Sequence, residues 1–260
     1  MYTDYWKLRR KPFENAPDPD FFYFAPLHAV AFERLTALIQ GRHAAGLITG
    51  ECGSGKTTLL KVLDQELELS RFPVVHLNYP RQTAEEAEAE ILRQLDVEPS
   101  EDPIDRRQRL GERLLATRLQ GGHTLVIVDE AQIIPEDDVL RDLGKLLDFR
   151  LDGESLATLL LAGEPAMLQR LVRLPHFDQR FVVRHHLEPL DAHQTRAYIG
   201  YRLEVAGADR ALFTDEAMDL IYGRSRGIPR EINTVCDMSL FMGARKRAES
   251  VTEEIVRRVA

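Results

Sequence analysis

The stretch AAGLITGECGSGKT, Ala44–Thr57, decides the fold. Its first half is a short apolar run, its second half fits G-x-x-x-x-G-K-[ST], and apolar residues at helical spacing resume directly after it. A strand that turns through glycines into a helix is the geometry that holds phosphate. Gly50, Gly53 and Gly55 let the backbone curl so that successive N–H groups face one point, and the following helix adds its positive end. At average residue usage the pattern arises by chance in such a chain on the order of once in a hundred. Lys56 supplies charge for the β- and γ-phosphates of ATP and Thr57 a hydroxyl for Mg²⁺, while Glu51, Cys52, Ser54 and Thr58 complete the wrap around the nucleotide. Cys52 reads as a small filler that a helix N-terminus makes open to alkylation. The glycine spacing is not G-x-G-x-x-G, which disfavours a nicotinamide or flavin cofactor.

Outward from this loop the chain alternates strand and helix. Strand-like runs follow at Val74–Leu77, Thr124–Val128, Ala157–Leu161 and Phe181–His186, with helical stretches around 56–68, 83–95, 104–120, 137–150 and 165–173. The expectation is a three-layer α/β core with a five-stranded parallel sheet, its central strands apolar because both their faces are covered. His28–Gln40 adds a helix before the first strand. After Pro189 the alternation stops, and residues 191–260 read as helices only, with Asp191 an N-cap and Pro229 in the first turn of the longest. The domains expected are an aromatic and proline-rich arm over 1–27 packed on the core, a nucleotide-binding core over 28–190 and a small all-α lid over 191–260.

A phosphate loop by itself indicates nucleotide, not hydrolysis. The second motif is LVIVDE, Leu125–Glu130, where a buried strand ends in two carboxylates. Asp129 is placed to bind Mg²⁺ and Glu130 to polarise an attacking water. Phosphate-loop kinases often lack the paired Glu, so Glu130 favours an ATP hydrolase over a phosphotransferase.

The string DEAQ at Asp129–Gln132, with ITGECGSGKTTL, LAGEP, DQRFVVRHHLEPL, RAYIGYRLEVAG and GIPREIN, resembles the AAA+ ATPases, and more narrowly the general secretion pathway A type, including relatives tied to pilus and exopolysaccharide export. The opener Tyr5…Lys11-Pro12-Phe13…Pro17-Asp18-Pro19…Phe21 belongs to the same ordered set, so the resemblance covers nearly the whole chain. It implies that Arg230 is the sensor 2 arginine, reaching the γ-phosphate from the lid. It implies that Arg180, with Arg184 and Arg173 as competitors, is a finger acting on a neighbouring subunit, so that the protein works as a homo-oligomer. Asn78 takes the place of a residue that restrains the catalytic Glu. In LAGEP, Glu164 stands where relatives carry Gln at the sensor 1 position; a carboxylate there repels phosphate, which slows hydrolysis or shifts sensing elsewhere, for instance to Thr158. Asp148 replaces an Asn common in relatives, to no evident purpose.

The resemblance implies an assembly or regulatory ATPase of a secretion or envelope-export system, with protein partners in that apparatus. Many relatives continue into a transmembrane segment and a wall-binding domain, so a chain ending at Ala260 reads as a soluble variant or an excised domain. The alternatives are an ATP-dependent DNA-binding regulator of the transposition type and a nucleotide-gated scaffold with little turnover. Arg224, Arg226, Arg230, Arg245, Lys246, Arg247, Arg257 and Arg258 make the tail locally basic, although 34 Lys+Arg against 42 Asp+Glu leave a net charge of −8 and exclude a globally basic protein. No apolar run reaches the roughly 18–20 residues of a membrane helix, no secretory signal opens the chain, and two unlike cysteines, Cys52 and Cys236, form no disulfide framework. The expected location is cytoplasmic. The eight histidines show no metal-like clustering, and Mg²⁺ is the one metal expected.

Overall fold

The computed structural model describes residues 2–67, 72–77 and 83–259. These fall into two compact units, one of Val30–Gly50 and Val62–Leu187, the other of Met1–Ala29, Glu51–Lys61 and Glu188–Ala260.

Among the described residues the first unit holds seven strands: β1 Ala45–Gly50, β2 Val74–Leu77, β3 Thr124–Val128, β4 Arg150–Leu151, β5 Glu154–Ser155, β6 Ala157–Gly163 and β7 Phe181–Leu187. Five make one parallel sheet in the order β2-β3-β6-β1-β7. Every residue of β1, β3 and β6 is buried, whereas the outer strands β2 and β7 alternate with partly open positions. The reason is two covered faces. On one, Leu47, Val126, Val128, Leu159 and Leu161 pack with Ile91, Leu92, Leu110, Leu114, Leu140 and Leu171 from four helices. On the other, a Cβ added to Gly46 would meet Leu38 Cδ2 at 2.5 Å, so the helix Pro26–Gln40 lies close there. Three layers result, as the alternating pattern predicts.

Local signals set the helix starts. Thr83 and Glu86 form a reciprocal capping box, and Asp102 accepts from the Ile104 N–H ahead of Pro103. The hairpin β4–β5 was missed by the sequence reading although its turn, Asp152-Gly153, carries positive φ at both residues (52° and 85°), the type I′ signature. Its strands are too short to show an alternation.

His123, fully buried ahead of β3, gives this unit a pH dependence. Thr158 Oγ1 donates to the His43 carbonyl (2.6 Å), so His123 Nε2, 2.8 Å away, is the donor to that hydroxyl. Nδ1 is left buried with no hydrogen-bond partner among the described residues. Burial, followed by the charge of Arg118, pushes the imidazole down to about 4 from its usual 6.5. The unfolded chain takes up a proton at this site below pH 6.5 that the folded protein refuses. Stability from this group is therefore complete above pH 6.5 and falls by about 3 kcal/mol by pH 4. Urea denaturation across that window should show His123→Gln losing less stability than wild type by about this amount; parallel losses would contradict it.

The second unit is helical. Asp191 caps Ala192–Val205 through a capping box with Gln194, Thr214 caps Asp215–Ser225, and Pro229 opens the helix Pro229–Lys246. The arm buries Trp6, Leu8, Phe13 and Phe21 with Tyr198, Ile199, Phe213, Ile232 and Leu240 of these helices. A helical tail of about seventy residues is marginal as an independent core, and the arm supplies it with large side chains. Trp6 Nε1 donates to the Leu240 carbonyl (2.9 Å). Buried Arg202 gives its hydrogen bonds to the carbonyls of Pro12 and Glu14 and to the Tyr198 hydroxyl, with the Phe21 ring 5.0 Å from its guanidinium carbon.

Candidate functional site

The phosphate loop follows β1 directly, and its helix starts at Lys56. Gly53 (φ 83°) and Gly55 (φ 101°) occupy the left-handed region that the curled backbone needs. A Cβ on Gly53 would stand 2.5 Å from Arg230 Cβ, and one on Gly55 would stand 3.3 Å from His28 Nε2, so both glycines also permit close approach. The loop is held from two sides. His28, buried, donates from Nε2 to the Ser54 carbonyl (2.9 Å), and the Phe22 ring lies edge-on to it at 5.7 Å. Arg230 donates from its backbone to the Gly53 carbonyl (3.3 Å) and from Nη1 to Cys52 Sγ (3.1 Å). Arg230 therefore sits on the loop, and His28 was missed because its partner lies 26 positions away.

Lys56 is buried and donates from Nζ to the Glu51 carbonyl (3.0 Å), which folds the ammonium back over the loop that precedes it. The helix bonds begin with the Leu59 N–H on the Gly55 carbonyl. The first-turn amides of a helix, here those of Lys56, Thr57 and Thr58, point out of its N-terminal end, where an anion can meet them. Glycine backbone, a helix N-terminus, an ammonium and the hydroxyls of Thr57 and Thr58 together suit a polyphosphate.

At the end of β3, Asp129 and Glu130 are half-buried. Glu130 lies at φ 51°, ψ 40°, left-handed for a non-glycine residue, and its N–H donates to Asp129 Oδ1 (2.9 Å). Gln132 Nε2 donates to Glu130 Oε2 (2.5 Å), and Gln132 Oε1 accepts from the Glu164 N–H (3.1 Å). Because the sheet is parallel and Thr49 and Val128 pair with Gly163 and Leu161, the ends of β1, β6 and β3 share one edge. Only β6 separates Gly50 from Asp129, a distance of two strand spacings, about 10 Å. The edge beyond the carboxyl ends of parallel strands is where such sheets bind ligands.

Thr158 cannot take over sensing from Glu164. It stands at the start of β6, paired with Leu125, at the other end of the sheet, and its hydroxyl is committed to His43 and His123. Arg180 also lies at that far end, just before Phe181, which pairs with Ala45. Its Nη2 donates to Asp148 Oδ1 (2.9 Å), which gives Asp148 a partner the sequence did not suggest. Arg184 pairs with Asp178 (2.9 Å) and Arg173 more loosely with Asp137 (3.9 Å). Asn78 lies outside the described residues.

The basic tail residues are largely engaged. Arg257 pairs with Glu253 and Arg258 with Glu254 across one helical turn, Lys246 reaches Glu254, Arg224 donates to the Val256 carbonyl, and Arg245 lies over Phe241. Among the described residues no helix is long and apolar enough to cross a membrane.

A general secretion pathway protein A of Aeromonas hydrophila is 33% identical over 252 residues, which is 93% of this chain and 44% of that protein. The chain thus spans less than half the length of this relative. Among solved structures, the ORC2 protein of Aeropyrum pernix with ADPNP and ADP matches 96% of this chain and 71% of its own, at a TM-score of 0.73 and 19% identity. The ORC1 protein of the same organism, solved in complex with DNA, matches 97% of this chain and 69% of its own at a TM-score of 0.74 and 19% identity. These two show a shared fold. The AAA domain model matches residues 39–172, from the helix before β1 through the phosphate loop, Asp129–Glu130 and Glu164, which is more than half of the chain; the chain belongs to the AAA domain family.

Proposed function

We propose that the chain binds ATP with Mg²⁺ and hydrolyses it as the ATPase element of a secretion-associated assembly, in which Arg180 of one subunit serves the nucleotide of the next. The observation that carries hydrolysis is the shared sheet edge, where the phosphate loop begins at Gly50 and the Asp129–Glu130 pair follows β3. In this reading the loop amides from Gly50 to Thr58 and Lys56 hold the phosphates and Arg230 reports on them from its place on the loop. Glu130 accepts a proton from the attacking water. The Thr57 hydroxyl and the Asp129 carboxylate are the oxygen donors suited to Mg²⁺, which when bound offsets phosphate charge. The curled backbone of the loop, with Gly53 and Gly55 both left-handed, supports this fit. The free thiols of Cys52 and Cys236 suit a cytoplasmic setting.

The secretion assignment is supported by the Aeromonas relative, and the export apparatus is the partner it suggests. A DNA-bound regulator has less support, since Lys246, Arg257 and Arg258 of the basic tail pair with its own carboxylates, Glu253 and Glu254. Phosphate release measured beside Glu130→Gln tests the proposal. Wild type should exceed the variant at least ~100-fold at unchanged ATP affinity. Equal rates would leave a nucleotide-gated scaffold.

A further inference from the structure

Three residues around Glu130 form a connection that the expected roles do not use. Gln132 bridges the Glu130 carboxylate and the main chain at the tip of β6. The Glu164 N–H can only donate, so the Gln132 atom facing it must be the oxygen, and the amide nitrogen is turned toward Glu130. Backbone at the end of one strand thus dictates which end of Gln132 meets the carboxylate at the end of another. Gly163 leaves the room this takes. A Cβ there would stand 2.8 Å from Gln132 Oε1.

We infer that Gln132 is a positioning residue for Glu130, fixing one carboxylate oxygen by an amide bridge to β6 so that a water addresses the other. The inference rests on the hydrolytic reading proposed above. The left-handed backbone of Glu130 restricts where its side chain can leave the main chain, and the bridge fixes the remaining freedom at Oε2. It also gives position 164 a role that any non-proline residue can fill. The contribution is a main-chain N–H, so a Glu in place of the family's Gln leaves this link intact.

The test is steady-state ATP turnover and binding of a fluorescent ATP analogue for Gln132→Met and Gln132→Glu, beside wild type and Glu130→Gln, with thermal melting of each. Gln132→Met keeps the length of the side chain and loses both hydrogen bonds. Its kcat should fall roughly 10- to 100-fold while ATP affinity stays within about twofold. Gln132→Glu, nearly isosteric, still accepts from the Glu164 N–H but sets a second anion against Glu130, and should be slower than Gln132→Met. A residue that merely supported the fold would give the reverse order. Adding Gln132→Met to Glu130→Gln should cost nothing further, because the bridge then has no catalytic base to hold. Wild-type kcat in Gln132→Met, a loss of binding in step with turnover, or a further drop in the double variant would overturn the inference. Wild-type turnover equal to that of Glu130→Gln would instead overturn the hydrolytic reading, and the positioning role with it.

Discussion

Gly227→Ala is expected to destabilise the helical unit by more than about 4 kcal/mol, a large fraction of the stability of a typical domain. Gly227 has φ 76° and follows Arg226, itself left-handed at φ 51°, where the helix Asp215–Ser225 ends. Its carbonyl accepts the Leu190 N–H at 2.9 Å. A Cβ would stand 1.8 Å from the Leu190 carbonyl oxygen and under 3.0 Å from that residue's carbonyl carbon and nitrogen. All three are main-chain atoms, so no side chain can swing aside. The substitution costs about 1–2 kcal/mol for the left-handed backbone and about 1–3 for a stranded buried N–H, before any displacement of Leu190 is counted. Gly223→Ala is the matched control. That glycine lies in the helix Asp215–Ser225 with open space where a Cβ would go, and alanine should be neutral or stabilise by up to about 1 kcal/mol. Chemical denaturation of both variants checks the contrast; a Gly227→Ala protein as stable as wild type would mean that the Leu190 segment yields easily.

Arg180→Ala should lower ATP turnover about 10³-fold with ATP affinity retained, if Arg180 acts between subunits as proposed. The sheet supports action in trans. Arg180 precedes the residue paired with Ala45, and β1 then runs six residues to Gly50, about 20 Å at strand rise, beyond the reach of one arginine side chain. Its ion pair with Asp148 is partly exposed, and such pairs contribute about 0–1 kcal/mol. A finger worth a factor of 10³ stabilises the transition state by about 4 kcal/mol, so the pair is readily given up. Two measurements separate this from a local structural role. Wild-type activity should rise more steeply than linearly with protein concentration. Mixing Arg180→Ala with Glu130→Gln should restore turnover, because the first has intact carboxylates and the second an intact finger. Full activity of Arg180→Ala at saturating concentration, or no recovery on mixing, would exclude the assignment.

The parts of the site legible in the sequence are those whose chemistry demands a local spacing. A phosphate cradle needs glycines and a lysine within eight positions, and a strand buried on both faces needs an unbroken apolar run, so Gly50–Thr57 and Leu125–Glu130 could be read directly. What escaped reading depends on residues the fold brings together. Gln132 meets Glu164 across 32 positions, and Arg180 meets Asp148 across the same span. The Glu164 contribution could not be judged from residue type at all, because a main-chain N–H makes it. Thr158 could be offered as an alternative to Glu164 only by weighing its hydroxyl by type; its place as the second residue of β6 puts it at the far end of the strand. The arm's aromatics announced that they were buried, but aromatic composition does not name the surface that receives them.

That arm has a consequence for synthesis. Trp6 and its acceptor at Leu240 are 234 positions apart, and at about 5–20 residues per second the ribosome needs roughly ten to fifty seconds to travel between them. Through that interval Trp6, Phe13 and Phe21 have emerged while most of the helices that bury them have not been made. The α/β unit can close first, since its last strand ends at Leu187. The arm is thus translated early and buried late, and it is the segment of the nascent chain with the longest exposure to chaperones and to the arms of neighbouring nascent copies.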